Sequence, residues 1–324
     1  MYRSRNLLFI VLLLAFLLAS CQAGLPTGCP PACLGATLYK RNLAGINFQG
    51  ANLRNAILTE AQLDGADLRN ANLSGATLDH ANLAGVDLRG ATLIGANLTD
   101  ANLSSVLLDN ADLSGANLTR AILTRVDLTQ VKLTAAVLVE TVLIGCNLRG
   151  ADLRGINLGG ADLRGADLSW AYMKGANLAA ARPRDPGSNL RGATLTGAIL
   201  TGSNLAGVDL RGAILERASL IGVSFHNVNL LGGAFANANL SDADLSGALL
   251  DGADLRNATL VNVNFLGASL KGAHLQQSDL RESRLLEKQG NQVLTANLLG
   301  AEYDDGTQWP KGFAPPNTMT AVSK

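Results

Sequence analysis

Apolar residues recur along this chain with a spacing of five. Leucine, replaced once by Phe48 and once by Met173, stands at every fifth position from Leu38 to Leu178, usually with a small residue two places before it. Ala66-Asp67-Leu68-Arg69-Asn70 and Ala111-Asp112-Leu113-Ser114-Gly115 show the unit. Such a period fits neither a helix, with its stripe every 3.6 residues, nor a strand with period two. Within one unit the leucine and the small residue are two apart, so in extended backbone they share a face. The chain must then turn before the next unit repeats that orientation. Gly65, Gly75, Gly85 and Gly95 close their units, and glycine suits a corner that needs positive φ. Asn and Asp, also found there, visit that region more easily than most residues. A chain that turns every five residues and keeps leucine inside climbs as a solenoid. The periodicity leaves its number of sides open.

These units resemble the pentapeptide-repeat family, whose pattern is A-(D/N)-L-x-x. The resemblance implies an all-β fold, a right-handed quadrilateral β-helix with four units per coil and the central leucine and preceding alanine inside. Twenty-nine central positions from Leu38 to Leu178 and twenty from Leu190 to Leu285 then make roughly twelve coils, a rod of roughly 60 Å at about 4.8 Å per layer. Each leucine taken from water contributes about 1.5–3 kcal/mol before entropy.

The N-terminus carries a second signal. Arg3 and Arg5 precede an apolar run from Leu7 to Leu18, and Leu18-Ala19-Ser20-Cys21 follows. That order reads as a secretory signal peptide, and the run is shorter than the ~20 residues that span a bilayer. Leu-Ala-Ser-Cys resembles a bacterial lipobox, which implies cleavage before Cys21 and its lipidation; the plainer reading is an ordinary cleaved signal with a chance cysteine. The expected location is the cell envelope, with the membrane reached through the lipid anchor. Cys29 and Cys33 lie in Cys29-Pro30-Pro31-Ala32-Cys33, where export permits a disulfide and two free thiols are the alternative. Cys146 takes the small inward position of its unit and reads as core.

The units divide the chain. Residues 1–20 read as signal, 21–35 as tether and first cap, 36–180 as a first block, 181–189 as a loop, 190–285 as a second block, and 286–324 as a C-terminal cap and tail. Leu190 stands twelve residues after Leu178 instead of ten, a slip of two, and the proline-bearing stretch from Ala181 to Ser188 reads as a bulge at a corner. After Leu285 the pattern lapses, then returns as Ala296-Asn297-Leu298 and Ala301-Glu302-Tyr303. Trp309 and Phe313 are expected to cover the last coil, because an open solenoid end exposes apolar interior and strand edges. Asn317 to Lys324 are expected to fray.

Candidate chemistry is sparse. His80, His226 and His274 are scattered, no pair has metal-ligand spacing, and no Gly-x-Ser-x-Gly elbow, phosphate loop or zinc signature occurs. No catalytic residue, cofactor or metal is assigned. Asp67, Asp87 and Asp127 face outward and stack on one side with Asn47, Asn147 and Asp167, while Arg69, Arg89 and Arg149 offer compensation; a hydrogen-bonded ladder is favoured over a cation site. Mimicry of DNA towards type II topoisomerases, which the resemblance brings in, needs an acidic surface. Residues 34–180 carry thirteen acidic and twelve basic side chains, and the whole chain 26 of each, so no phosphate-like field runs along the rod. A basic stripe with aromatics, the mark of a nucleic-acid binder, is missing too. Val137, Val139, Val142 and Ile144 place apolar side chains at outward positions. They read as a contact patch for self-association or an unknown protein partner, or as β-branched residues that merely suit a strand. The sequence therefore favours a lipid-anchored, non-enzymatic scaffold, with a topoisomerase-binding regulator and an envelope hydrolase as alternatives.

Overall fold

The computed structural model describes residues 25–179, 187–205, 207–289 and 292–322. Its body is a right-handed quadrilateral β-helix. Parallel bridges join residues twenty apart, from Ala32 with Asn52 to Asn157 with Asn177, so four five-residue units complete each coil. The residue just before the central leucine forms the bridge. The leucine amide donates upward, as from Leu38 to the Ile57 carbonyl at 2.7 Å, and the bridge residue donates downward, as from Ile57 to Ala36 at 2.9 Å.

Each corner is a four-residue turn. The amide of the next small residue donates to the carbonyl of the central leucine, as Ala51 to Phe48 at 2.9 Å. The third residue of the turn has positive φ, +66° at Gly75 and +56° at Asn70, as type II turns require. The second position of the unit has a local job as well. Its Asn or Asp Oδ1 accepts the amide two residues on, Asn47 from Gln49 at 2.9 Å and Asp67 from Arg69 at 3.1 Å. This side chain satisfies a backbone donor at the start of the corner, which is the physical reason for the D/N in the unit.

Leucine and alanine fill one continuous core, joined by Phe48, Phe225, Phe235 and Phe265. Where a polar residue takes the small inward position, it donates to a carbonyl within the rod. Thr141 Oγ1 reaches the Leu118 carbonyl at 2.9 Å and Ser203 Oγ the Met173 carbonyl at 2.5 Å. Buried hydroxyls without such a partner would be costly.

Two features differ from the sequence reading. Asp162 pairs with Asn189 and Asn177 with Asn204, both twenty-seven apart. Leu190 therefore opens the side that follows Leu178, and the insertion adds seven residues to one corner instead of slipping the phase by two. Residues 181–186 of the expected loop lie outside the described residues; beyond them Ser188 is buried, its Oγ 2.7 and 2.8 Å from the Leu158 and Leu178 carbonyls, which share its one proton. At the other end, the expectation that Asn317 onward frays is overturned as far as Val322. β3, Glu302–Tyr303, pairs in parallel with β4, Thr320–Ala321, and Met319 is buried. The apolar Met319 side chain and the exposed edge of β3 give the tail something to bind.

The lapse after Leu285 is an antiparallel hairpin of β1, Leu286–Gln289, and β2, Gln292–Thr295. The β-helix register resumes beyond it, with Asn297, Glu302 and Gln308 bridging to Ser269, His274 and Asp279. Trp309 and Phe313 pack against the core at this end. Their ring centroids are 5.2 Å apart, and Tyr303 meets Trp309 edge-on at 5.7 Å.

Candidate functional site

The coils set outward side chains in columns about 4.8 Å apart, so neighbours along a column can bond. Asn102 donates to Asn82 at 3.2 Å and Asn82 to Gln62 at 3.3 Å. Asn47, Asp67 and Asp87, and likewise Asp127, Asn147 and Asp167, stack in one column each through their backbone bridges. Asn147 Nδ2 donates to Asp127 Oδ2 at 3.2 Å. Arg69 binds Asp67 through Nε at 2.9 Å and Nη2 at 2.6 Å, and lies 3.7 Å from Asp87.

The charge compensation expected of Arg69 and Arg89 is made within their own units, and the same fork recurs at every other Asp-Leu-Arg of the sequence. Asp87 with Arg89, Asp152 with Arg154, Asp162 with Arg164, Asp209 with Arg211, Asp254 with Arg256 and Asp279 with Arg281 repeat it. The two side chains flank an inward leucine and so lie on one face, two residues apart. The arginine hydrogen bond holds the Asp67, Asp87, Asp152, Asp209, Asp254 and Asp279 carboxyls below the usual aspartate range against the opposing effect of burial. Each fork neutralises itself.

The histidines do not converge. His226 Nδ1 is 2.8 Å from Ser246 Oγ, and its Nε2 is 2.7 Å from the Asn227 amide nitrogen. An amide donating to Nε2 leaves the imidazole proton on Nδ1, where it points at the serine, so in this tautomer the ring cannot draw the Ser246 proton. His274 Nδ1 lies 2.7 Å from Glu302 Oε2, which also accepts from Gln276 at 2.9 Å. These contacts, the imidazole first, lower the Glu302 carboxyl and pin β3 to the preceding coil. Among the described residues no cluster of three His, Cys, Asp or Glu side chains is placed to hold a metal ion.

Cys29 and Cys33 are disulfide-bonded, with their Cα atoms 4.7 Å apart, and both are buried at the start of the core. Cys146 is buried, 2.8 Å from the Leu123 carbonyl, and burial pushes its thiol up to about 11. Cys21 lies outside the described residues. No helix among them is long and apolar enough to cross a membrane.

Val137 bridges Asn117, and Val142 bridges Ile122, on adjacent sides of one corner. Val137, Val139, Val142 and Ile144 form one strip, but each is only half-exposed, because outward neighbours in the coils above and below cover its flanks. Larger apolar exposure occurs at Trp170, Tyr172 and Ile199, a group absent from the sequence reading. Its signal was present, since Trp170 fills the corner position that Gly and Asn otherwise favour. Two of the depressions in the described surface lie near features of interest. One, of about 560 Å³, is polar and lined by Arg69, Arg89, Asp109 and Gln130. The other, of about 490 Å³, lies between hairpin and tail and is lined by Leu285, Leu298, Leu299, Phe313 and Pro316.

A family profile described as "Pentapeptide repeats" matches residues 33–70, 71–110, 96–134, 141–178 and 187–227, and one described as "Pentapeptide repeat region" matches 218–293. No curated protein matches the chain. Among solved structures, HetL is 32% identical, with 83% of this chain and 94% of that one covered and a TM-score of 0.26. It is a pentapeptide repeat protein involved in heterocyst differentiation regulation from the cyanobacterium Nostoc sp. strain PCC 7120. Rfr23 from the cyanobacterium Cyanothece 51142 is 26% identical, with 52% and 90% covered and a TM-score of 0.25. Full-length QnrB1, a plasmid-mediated fluoroquinolone resistance protein, is 17% identical, with 85% and 93% covered and a TM-score of 0.19.

Proposed function

The chain belongs to the pentapeptide-repeat family, and from that premise we propose that it is a lipid-anchored, non-catalytic rod of a bacterial cell envelope that serves as a protein-interaction scaffold. One observation carries the scaffold reading: the outward polar groups bond to one another or to their own corners along the rod. Asx turns, amide ladders and Asp–Arg forks occupy the side chains that a hydrolase would need to aim at a substrate. The forks count against a DNA mimic as well, since carboxylates neutralised in place present no phosphate-like field. The anchor rests on Leu18-Ala19-Ser20-Cys21 behind a basic, apolar leader. The strip of Val137, Val139, Val142 and Ile144 is the contact surface within this proposal.

Intact-mass analysis of the membrane fraction, combined with cross-linking, tests the reading. The mature chain is expected to begin at a lipid-modified Cys21, and Cys21→Ser to release or misprocess a folded rod. Unaltered fractionation of that variant would sink the anchor. Loss of cross-linked partners in a Val139→Thr, Ile144→Thr double variant would support the strip, and an unchanged set would remove it.

A further inference from the structure

The aromatic side chains of the described residues are few, and most have structural work. Phe48, Phe225, Phe235 and Phe265 fill the interior. Tyr303, Trp309 and Phe313 pack on the C-terminal end. Tyr39 donates to Glu60 and carries the Lys40 ammonium 5.1 Å from its ring centroid. Trp170 and Tyr172 stand apart, 48% and 50% exposed and two residues apart on the outward side.

Their placement is specific. Trp170 sits at a corner with φ +62°, the one Trp, Tyr or Phe among the described residues in that region, where a bulky side chain is held at a cost. Its ring lies along the rod over Gly197 of the next coil, so closely that a Cβ there would fall 2.3 and 2.4 Å from ring carbons. The glycine makes room and the ring is seated flat. Tyr172 bridges Asp152 below and Ile199 above, and Ile199 bridges Ser219. Polar groups border the patch: the Asp152–Arg154 fork below, bonded at 2.8 and 2.5 Å, and the Thr201–Ser219 hydroxyl pair above, 3.1 Å apart.

From this arrangement we propose that Trp170, Tyr172 and Ile199 form a binding platform for a neutral polysaccharide whose pyranose rings present a flat C–H face. Such a ring is apolar above and below and hydroxylated at its edge. It stacks on an aromatic face, while the Thr201 and Ser219 hydroxyls and the lone pairs that the Asp152 carboxylate keeps outside its arginine bonds take its hydroxyls. The self-neutralised fork provides no phosphate-binding stripe. The platform stands on exposed residues of the rod and is independent of the lipid anchor.

The full chain, kept in detergent, is to be mixed with insoluble cellulose and with insoluble chitin, and the bound fraction measured across protein concentration. Trp170→Gly and Tyr172→Thr restore residue types that other units use at those positions, so both rods should keep their melting temperature. The parent is expected to be retained on at least one matrix, and each variant to bind at least tenfold more weakly. Ile57→Thr, an exposed apolar residue on another side, should change nothing. Failure of the parent to bind either matrix overturns the proposal, as does equal retention of Trp170→Gly. A parent that is dimeric by sedimentation, turned monomeric by Trp170→Gly and indifferent to both matrices, overturns it in favour of a second copy of this chain.

Discussion

The small inward position accepts alanine, valine and, at Ile46 and Ile156, isoleucine, and a polar residue buried there must bring a partner for its polar atom. Cys146, Thr141, Ser188 and Ser203 meet that condition, each with its sulfur or hydroxyl against a carbonyl inside the rod. The thiolate is the reactive form of cysteine, and burial that raises Cys146 to about 11 withholds it. Iodoacetamide at pH 8 should therefore leave Cys146 unmodified in the native chain and alkylate it once denaturant opens the rod, as peptide mass mapping would record. Cys146→Ser should cost no more than about 1 kcal/mol, because the hydroxyl can take over the bond to the Leu123 carbonyl. Rapid labelling of the native chain would mean that the coil opens locally at this point.

The five-residue element explains which parts of the molecule the sequence made legible. Inward leucine and alanine, the positive-φ corner and the stacking of residues twenty apart all follow from one period, because every unit meets the same neighbours. Charge compensation by Arg69 and Arg89 was legible, yet the within-unit fork depends on a long arginine side chain turning back to the short carboxylate two residues before it, which a hydrophobic pattern does not encode. The forks carry a pH dependence. In the forks of Asp67, Asp87, Asp152, Asp209, Asp254 and Asp279 the arginine partner depresses the folded-state aspartate pKa, so these contribute stability that is present above the unfolded value of about 3.9 and is lost as pH falls through the depressed one. The melting temperature should hold between about pH 7 and 5 and decline below about pH 4, and arginine-to-glutamine substitution in several forks should flatten that decline. An acid profile unchanged by those substitutions would show that the forks are too well solvated to matter. The insertion after Leu178 was misread for a different reason: spacing alone cannot say whether twelve residues span one side or two, and only the bridge from Asp162 to Asn189 decides.

Across the whole molecule every coil touches only the coils above and below it, so stability is close to a sum of local terms and the ends are where unfolding starts. At the start, Cys29 and Cys33 close the core with a disulfide. At the far end the same task falls to non-covalent contacts: Trp309 at the centre of the last unit, flanked by Tyr303 and Phe313, the His274–Glu302 pair, and the tail strand Thr320–Ala321 on β3. Trp309 is only part-buried, so Trp309→Ala should cost about 2 kcal/mol, less than the about 3–5 of a fully buried aromatic. In a globular domain with one cooperative core that loss would weaken every amide equally. In this rod it should act over a short distance, raising hydrogen exchange at amides from about Leu275 to Tyr303 while those of the units from Leu63 to Leu158 keep the protection of the parent. Uniformly faster exchange along the chain would instead mean that the coils unfold as a single unit and that the C-terminal end governs the stability of the whole rod.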